Sequence, residues 1–337
     1  MTKSFGHTSV SSADGQCYQH GGATITVTIK KKAASDPPLP RIAVRLTEQA
    51  AFGGITSATF TSTKTTNKHG VVEFTSVRPG RYDALASYAG YAFVPDRISS
   101  APSAPTTSLE LLAFPTAHAI WGCDTNQANL IVETAKHDAR PCKWVGRYLG
   151  HDATGDPPLV KAEAPRYGAA GLDLVLLWER FNTRTETAAS VDSSIHHGKV
   201  DAQRALDAMS TIGCGKQVVY FTADFTMTKH MRYSGAGALV KGYFQGVNHA
   251  FGGNAMVGAY GTYETLAMLF DAEPALISWG WQQTFGTKGK TLDPRVQIYQ
   301  YDIMRDQVGW LPNSGNVAGG LDMDVAIAPR FGQFRFG

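Results

Sequence analysis

Residues 198–225 read GKVDAQRALDAMSTIGCGKQVVYFTADF. Val200, Ala205, Leu206 and Met209 recur at helical spacing, and Gly213 is placed to end a helix in a left-handed cap. From Lys216 the run turns β-branched and aromatic, the pattern of a strand buried on both faces. Helix, glycine turn and buried strand together make one unit of an alternating α/β fold. The alternation extends in both directions. Strand-like runs stand at HAIWGCD (118–124), KWVGRYL (143–149), LDLVLLWE (172–179), QVVYFTAD (217–224), AMVGAYG (255–261), ALISWGWQ (275–282), VQIYQYD (296–302) and LDMDVAI (321–327). Helix candidates lie at 126–137, 158–170, 197–212, 235–251 and 262–270. Eight strands with intervening helices predict a (β/α)₈ TIM-like barrel over 118–337. Nothing helical separates the last two strands, so some late helices are expected to be short or missing.

Upstream the pattern changes. Residues 23–113 hold short alternating runs such as ATITVTI, RIAVRLTE, GVVEFTSV and GRYDALASY, divided by turns such as SDPPLP, NKHG and RPG. Seven such strands predict an antiparallel β-sandwich, making the chain a multidomain β plus α/β protein. Residues 1–22, rich in Gly, Ser and His, read as a flexible lead-in. TNKHGVVEFTSVRPGRYDALASY resembles the paired-strand core of prealbumin-like or collagen-binding-B-type sandwich domains. Gly70, Pro79, Gly80 and Tyr82 stand in the places that resemblance requires. It implies a spacer, adhesion or targeting role.

Composition narrows the classes. The chain has 337 residues, 43% hydrophobic and 18% charged, with a net charge of +3. That is ordinary for a globular protein with sizeable cores, and too weakly basic for a nucleic-acid footprint. Lys30, Lys31 and Lys32 read as a solvated strand end. No run of about 18 apolar residues predicts a membrane span. The N-terminal stretch lacks the apolar segment of a secretory signal. The expectation is synthesis in the cytoplasm, with signal-independent delivery to the cell envelope or a target cell as one outcome. Phage-tail or secretion-apparatus proteins would then be partners of the N-terminal domain. The spacing of Cys17, Cys123, Cys142 and Cys214 fits no zinc motif, so no metal or cofactor is expected. A Cys123–Cys142 bridge is open only if their strands are neighbours.

In the predicted barrel, chemistry belongs at the C-terminal strand ends. Asp124, Glu179, Asp224, Asp322 and Asp324 fall there, beside Trp178, Tyr260, Trp279, Trp281, Gln300 and Tyr301. Carboxyl groups among aromatics and amides suit a glycan: rings stack on sugar faces, amides bind hydroxyls, and acids do acid–base work. Asp224 has the most apolar flanks, and desolvation would raise its pKa toward that of a proton donor. Each acid also has a structural reading. Asp124 could cap a following helix, Glu179 could pair with Arg180 or Arg184, and Asp322 could bond backbone N–H groups. His196 and His197 read as a helix cap or surface pair.

Read together, GCDTNQ, AEAPRYGAAGLDLVLLWE, GKVDAQRALDAMSTIGCGKQVVYFTADF, MVGAYGTY, WGWQQT, IYQYD and GLDMDVA resemble the glycoside-hydrolase-like domain family related to family 25 lysozymes, the N-acetylmuramidases. The resemblance covers about 118–330. It implies a peptidoglycan-directed glycoside hydrolase with Asp224, Asp124, Glu179 and Asp322 as catalytic carboxyls. Tyr260, Trp281, Gln300, Trp178 and Asp324 would bind substrate. Two positions depart from the lysozyme pattern: Thr222 stands where a second acid is found, and Asp324 where Asn is usual. The alternative is a non-catalytic glycan-binding or structural protein on a degenerate glycosidase barrel.

Overall fold

The computed structural model describes residues 23–31, 39–51, 60–77, 80–94, 96–100, 106–125, 142–150, 158–179, 188–223, 226–283, 292–302 and 321–336. The chain forms two compact units, Met1–Ala113 and Phe114–Gly337. The lead-in expected over 1–22 and the helix expected over 126–137 lie outside the described residues.

The first unit is a sandwich of two four-stranded sheets. One is ordered β4 (Val71–Val77), β1 (Ala23–Lys31), β8 (Thr106–Pro115), β6 (Tyr91–Phe93). The other is ordered β3 (Thr61–Thr65), β2 (Ala43–Ala51), β5 (Gly80–Ser87), β7 (Asp96–Ser100). Along β1, Ala23, Ile25, Val27 and Ile29 are buried and the intervening threonines are half-exposed. That period of two follows from the pleat. These side chains meet Val44, Leu46, Phe74, Tyr82 and Leu111 in one core drawn from both sheets. Two details depart from the expected pattern. YAFVPDRI is split between β6 in one sheet and β7 in the other, and β1 pairs parallel with β8. The sandwich is therefore not wholly antiparallel.

The second unit closes eight strands into a barrel in the order β9 (Ile120–Thr125), β10 (Trp144–Tyr148), β11 (Asp173–Trp178), β12 (Val219–Ala223), β13 (Val257–Gly261), β14 (Trp279–Gln283), β15 (Ile298–Asp302), β16 (Leu321–Ala326). It is not the predicted (β/α)₈ barrel. β16 runs antiparallel to both β15 and β9, while the other neighbours are parallel. Among the described residues the unit has only four α-helices: α1 (Ala164–Ala169), α2 (Val191–Ile212), α3 (Gly235–Phe251) and α4 (Tyr263–Phe270). The error has a physical source. A parallel return needs a crossover, whereas a strand running straight back does not. The alternation in LDMDVAI looks the same in either direction.

The barrel interior is filled by Trp144, Val175, Leu177, Tyr220, Tyr260, Trp281, Ile298, Ala326 and Phe331. At the end where the parallel strands begin, Phe331 packs on Trp144, and the Tyr220 hydroxyl donates to the Phe331 carbonyl at 2.9 Å. The opposite end carries the polar residues.

α2 begins earlier than predicted, capped by the Ser190 hydroxyl on Ser193 N–H, so His196 and His197 lie within the helix. Its buried face holds Gly198, Asp201, Ala202, Ala205, Met209 and Ile212. α2 meets α3 at two glycines. A Cβ on Gly198 would lie 2.0 Å from the Tyr243 carbonyl oxygen, and one on Gly246 2.1 Å from that of Ile195. Gly198→Ala gains up to about 1 kcal/mol of helix propensity. Overpacking against a rigid backbone outweighs this, for a net loss toward the upper part of roughly 1–3 kcal/mol. Urea unfolding of the variant should show a lower midpoint.

Cys123 and Cys142 are free thiols whose Sγ atoms stand 3.7 Å apart. Contact with Cys142, followed by burial, pushes the Cys123 thiol well up.

Candidate functional site

The barrel end where β9–β15 finish is also where β16 begins. Register sets Asp322 opposite Asp124 and Asp324 opposite Gly122 on the β9–β16 pair. With a side-chain period of two, all three carboxyls face the same side. Asp124 is buried, and both its oxygens accept hydrogen bonds: Oδ1 from the Tyr148 hydroxyl at 2.7 Å, Oδ2 from Gln300 Nε2 at 2.9 Å. Gln300 Nε2 also donates to Asp322 Oδ2 at 3.0 Å, and its Oε1 accepts from the Tyr260 hydroxyl at 2.6 Å. One amide thus links two carboxylates and a phenol, which fixes its orientation. Gly146 lies beneath this group. A Cβ there would come 2.7 Å from the Trp281 ring and 2.8 Å from the Asp124 Cβ, so β10 needs a glycine for the cluster to form.

The electrostatics follow from burial and like charge. Desolvation first, then the neighbouring Asp124, Glu179 and Tyr260, hold the Tyr148 phenol well above its usual range. Tyr148 therefore stays a donor to Asp124. Burial, then Asp124 and Asp322, raise the Asp324 carboxyl well above the usual carboxylate range; the Trp281 N–H opposes this.

The structure brings together Asp124, Asp322, Asp324, Gln300 and Tyr260, with Glu179 half-buried just beyond β11 and close enough to act on Tyr148. Trp281 belongs with them but is fully buried; its Nε1–H donates to Asp324 Oδ1 at 2.9 Å. It therefore supports a carboxyl and offers no face to a sugar. Trp178 does not join the group. It is buried beside Gly150, on the face of β11 opposite the interior residues Val175 and Leu177. Asp224 lies outside the described residues, one position past the end of β12, as do Arg180 and Arg184. Thr222, two residues before it, is buried on β12 opposite Tyr260. Tyr148 was missed from sequence. It ends its strand as the acids do, and applying the same rule to phenols would have found it. Among the described residues no group of three or more His, Cys, Asp or Glu side chains is arranged to hold a metal ion. Nor, among them, is any helix long and apolar enough to cross a membrane.

Comparison with known proteins gives three solved structures of note. The Tat-secreted protein Rv2525c of Mycobacterium tuberculosis, in complex with L-tartrate, is 19% identical; the match covers 63% of this chain and 98% of that one, with a TM-score of 0.49. The spore cortex lytic enzyme SleM of Clostridium perfringens is 9% identical over 62% of this chain and 67% of its own, with a TM-score of 0.40. The catalytic domain of endolysin ply40, from bacteriophage P40 of Listeria monocytogenes, is 12% identical over 62% and 93%, with a TM-score of 0.37. No curated protein matches the chain. Residues 135–324, more than half the sequence, match the family described as the Rv2525c-like, glycoside hydrolase-like domain. The match spans β10 to β15 and the first part of β16, and with them Tyr148, Glu179, Gln300, Asp322 and Asp324. The chain belongs to the Rv2525c-like glycoside hydrolase-like domain family.

Proposed function

We propose that this barrel end binds and cleaves an amino-sugar glycan, with peptidoglycan as the substrate. The observation that carries the reading is the sharing of one amide, Gln300, by Asp124 and Asp322, with Tyr148 and Glu179 beside them. Membership of a glycoside hydrolase-like family supports it. A carboxylate held by a phenol and an amide stays ionised and aimed, as stabilising positive charge at an anomeric carbon requires. Asp124 has that role, with Glu179 as the second carboxylate able to activate water. Asp224, the acid with the most apolar sequence flanks, is assigned as the proton donor to the leaving oxygen. Asp322 orients the sugar through its bond to Gln300.

Incubation of the purified protein with cell walls and soluble peptidoglycan fragments tests this. Wild type should release reducing ends, and Asp224→Asn should lower the rate about a hundredfold. Wild type that releases none sinks the enzymatic reading. Thr222 favours a second reading, binding without cutting, because it puts a hydroxyl on β12 where the resembled lysozymes carry an acid. Retention of wild type on cell walls with no reducing ends would select that reading.

A further inference from the structure

Asp324 is fully buried, and its two oxygens have unequal surroundings. Oδ1 accepts from Trp281 Nε1–H at 2.9 Å. Oδ2 is enclosed with no hydrogen-bond partner. The charged groups nearest it are carboxyls: Asp124, diagonal to it across the β9–β16 pair and on the same side, and Asp322 from its own strand. Cys123, on the opposite face of β9, has a thiol held protonated. Tyr148 from β10 and Tyr260 from β13 stand beyond Asp124 and Gln300, with Glu179 next to Tyr148. β14 and β15 present the neutral Trp281 and Gln300. Among the described residues no Lys, Arg or His pairs with Asp324.

Two charged carboxylates side by side in such a place would combine repulsion with a buried, uncompensated charge. One shared proton removes both penalties. Asp124 is the partner equipped to stay ionised, since a phenol and an amide already donate to its two oxygens. Each carboxylate oxygen has two acceptor sites, so a third donor fits. The enclosed Oδ2 of Asp324 is where the proton satisfies an otherwise empty position. We propose that Asp324 carries a proton at neutral pH and acts as a positioning residue, donating from Oδ2 to Asp124 and fixing Asp124 as the ionised member of the pair.

The direction in which burial and the two neighbouring aspartates shift Asp324 agrees with this. The inference deepens the proposed site and rests on it for the role of Asp124, but the proton itself is read without turnover. The sign of the pH effect is fixed. A folded state that binds the proton more tightly than the unfolded chain loses stability as pH rises from about 4 to the folded value, then levels off. Asp324→Asn removes this dependence and retains both an Oδ1 acceptor and a donor toward Asp124.

The experiment is chemical unfolding of wild type and Asp324→Asn across pH, with infrared spectra of both at neutral pH. The folded-to-unfolded ratio of the variant, relative to wild type, should rise about tenfold per pH unit through that window. Wild type should show a protonated-carboxyl band that the variant lacks. Parallel stability curves, a wild type that gains on the variant as pH rises, or a wild type without the band would each overturn the proposal. So would a variant that does not fold, because the proposal requires the neutral isostere to be accepted. Glycan cleavage with no proton signature would leave the proposed function standing. A proton signature with no cleavage would leave this inference standing.

Discussion

Replacing Arg147 with Met should destabilise the barrel unit by about 3–5 kcal/mol, read as a lower urea midpoint with an unchanged slope. Arg147 is fully buried and grips Glu163 with two bonds, Nε to Oε1 at 2.7 Å and Nη2 to Oε2 at 3.0 Å. Nη1 donates to the Thr125 carbonyl at 2.7 Å. Without the guanidinium, Glu163 becomes a buried charge that has lost its bidentate cation, with the Tyr167 hydroxyl still donating to it. The size of the loss lies in the stranded carboxylate, since a buried ion pair as a whole adds little net stability. Arg147→Met combined with Glu163→Met should therefore recover most of what the single change loses. A double variant no better than the single would show that the pair is not the cause. Lysine is no substitute, because it lacks the planar fork. The Thr125 bond adds a second consequence. It anchors the residue after Asp124, so the single variant should also lose order at the Asp124 carboxylate.

Trp281→Ala should cost at least as much by another route. The indole is fully enclosed, with edge contacts to Trp144 at 5.5 Å, Tyr220 at 5.5 Å and Tyr260 at 5.8 Å. Truncation leaves a cavity inside a closed barrel, worth roughly 3–5 kcal/mol because the surrounding strands have little room to collapse. It also removes the donor to Asp324 Oδ1, adding about 1–3 kcal/mol. Trp281→Phe separates the two terms by keeping most of the volume and losing the N–H. Its loss should stay near the smaller figure, and the Asp324 carboxyl should shift further up, since the indole is what opposes the rise. Equal losses in the two variants would show that volume does not matter here.

The strands were legible in sequence because burial leaves a period of two, or an unbroken apolar run, in the residue order. QVVYFTAD and VQIYQYD both give strands within a residue or two of their reading. Strand direction was not legible, because the pattern of LDMDVAI is the same read either way. α3 was found to its ends, since glycines and Phe251 frame it. The start of α2 departs from the reading because its first two turns, VDSSIHH, hold only Val191 and Ile195 as apolar residues among polar ones. At the site, Asp124, Gln300 and Tyr260 lie near the C-terminal strand ends where the sequence reading puts them, whereas Asp322 stands at the start of its strand and reaches the same end only because β16 runs backwards. The part played by Trp281 was not legible, since composition does not distinguish a ring that faces substrate from one that buttresses an acid. Arg147–Glu163 was also invisible, because sixteen residues separate partners that meet only in three dimensions.

The reversed last strand has a consequence for folding. Asp124 stands on the first strand of the barrel, and Asp322 and Asp324 on the last, paired across about two hundred residues of chain. Contacts this distant in sequence carry the largest loop-closure cost of any strand pair in the barrel. An incomplete barrel, even one with seven strands in register, lacks two of the three carboxyls around Gln300. The site is therefore assembled at closure, in the same event that removes the sheet's two open edges.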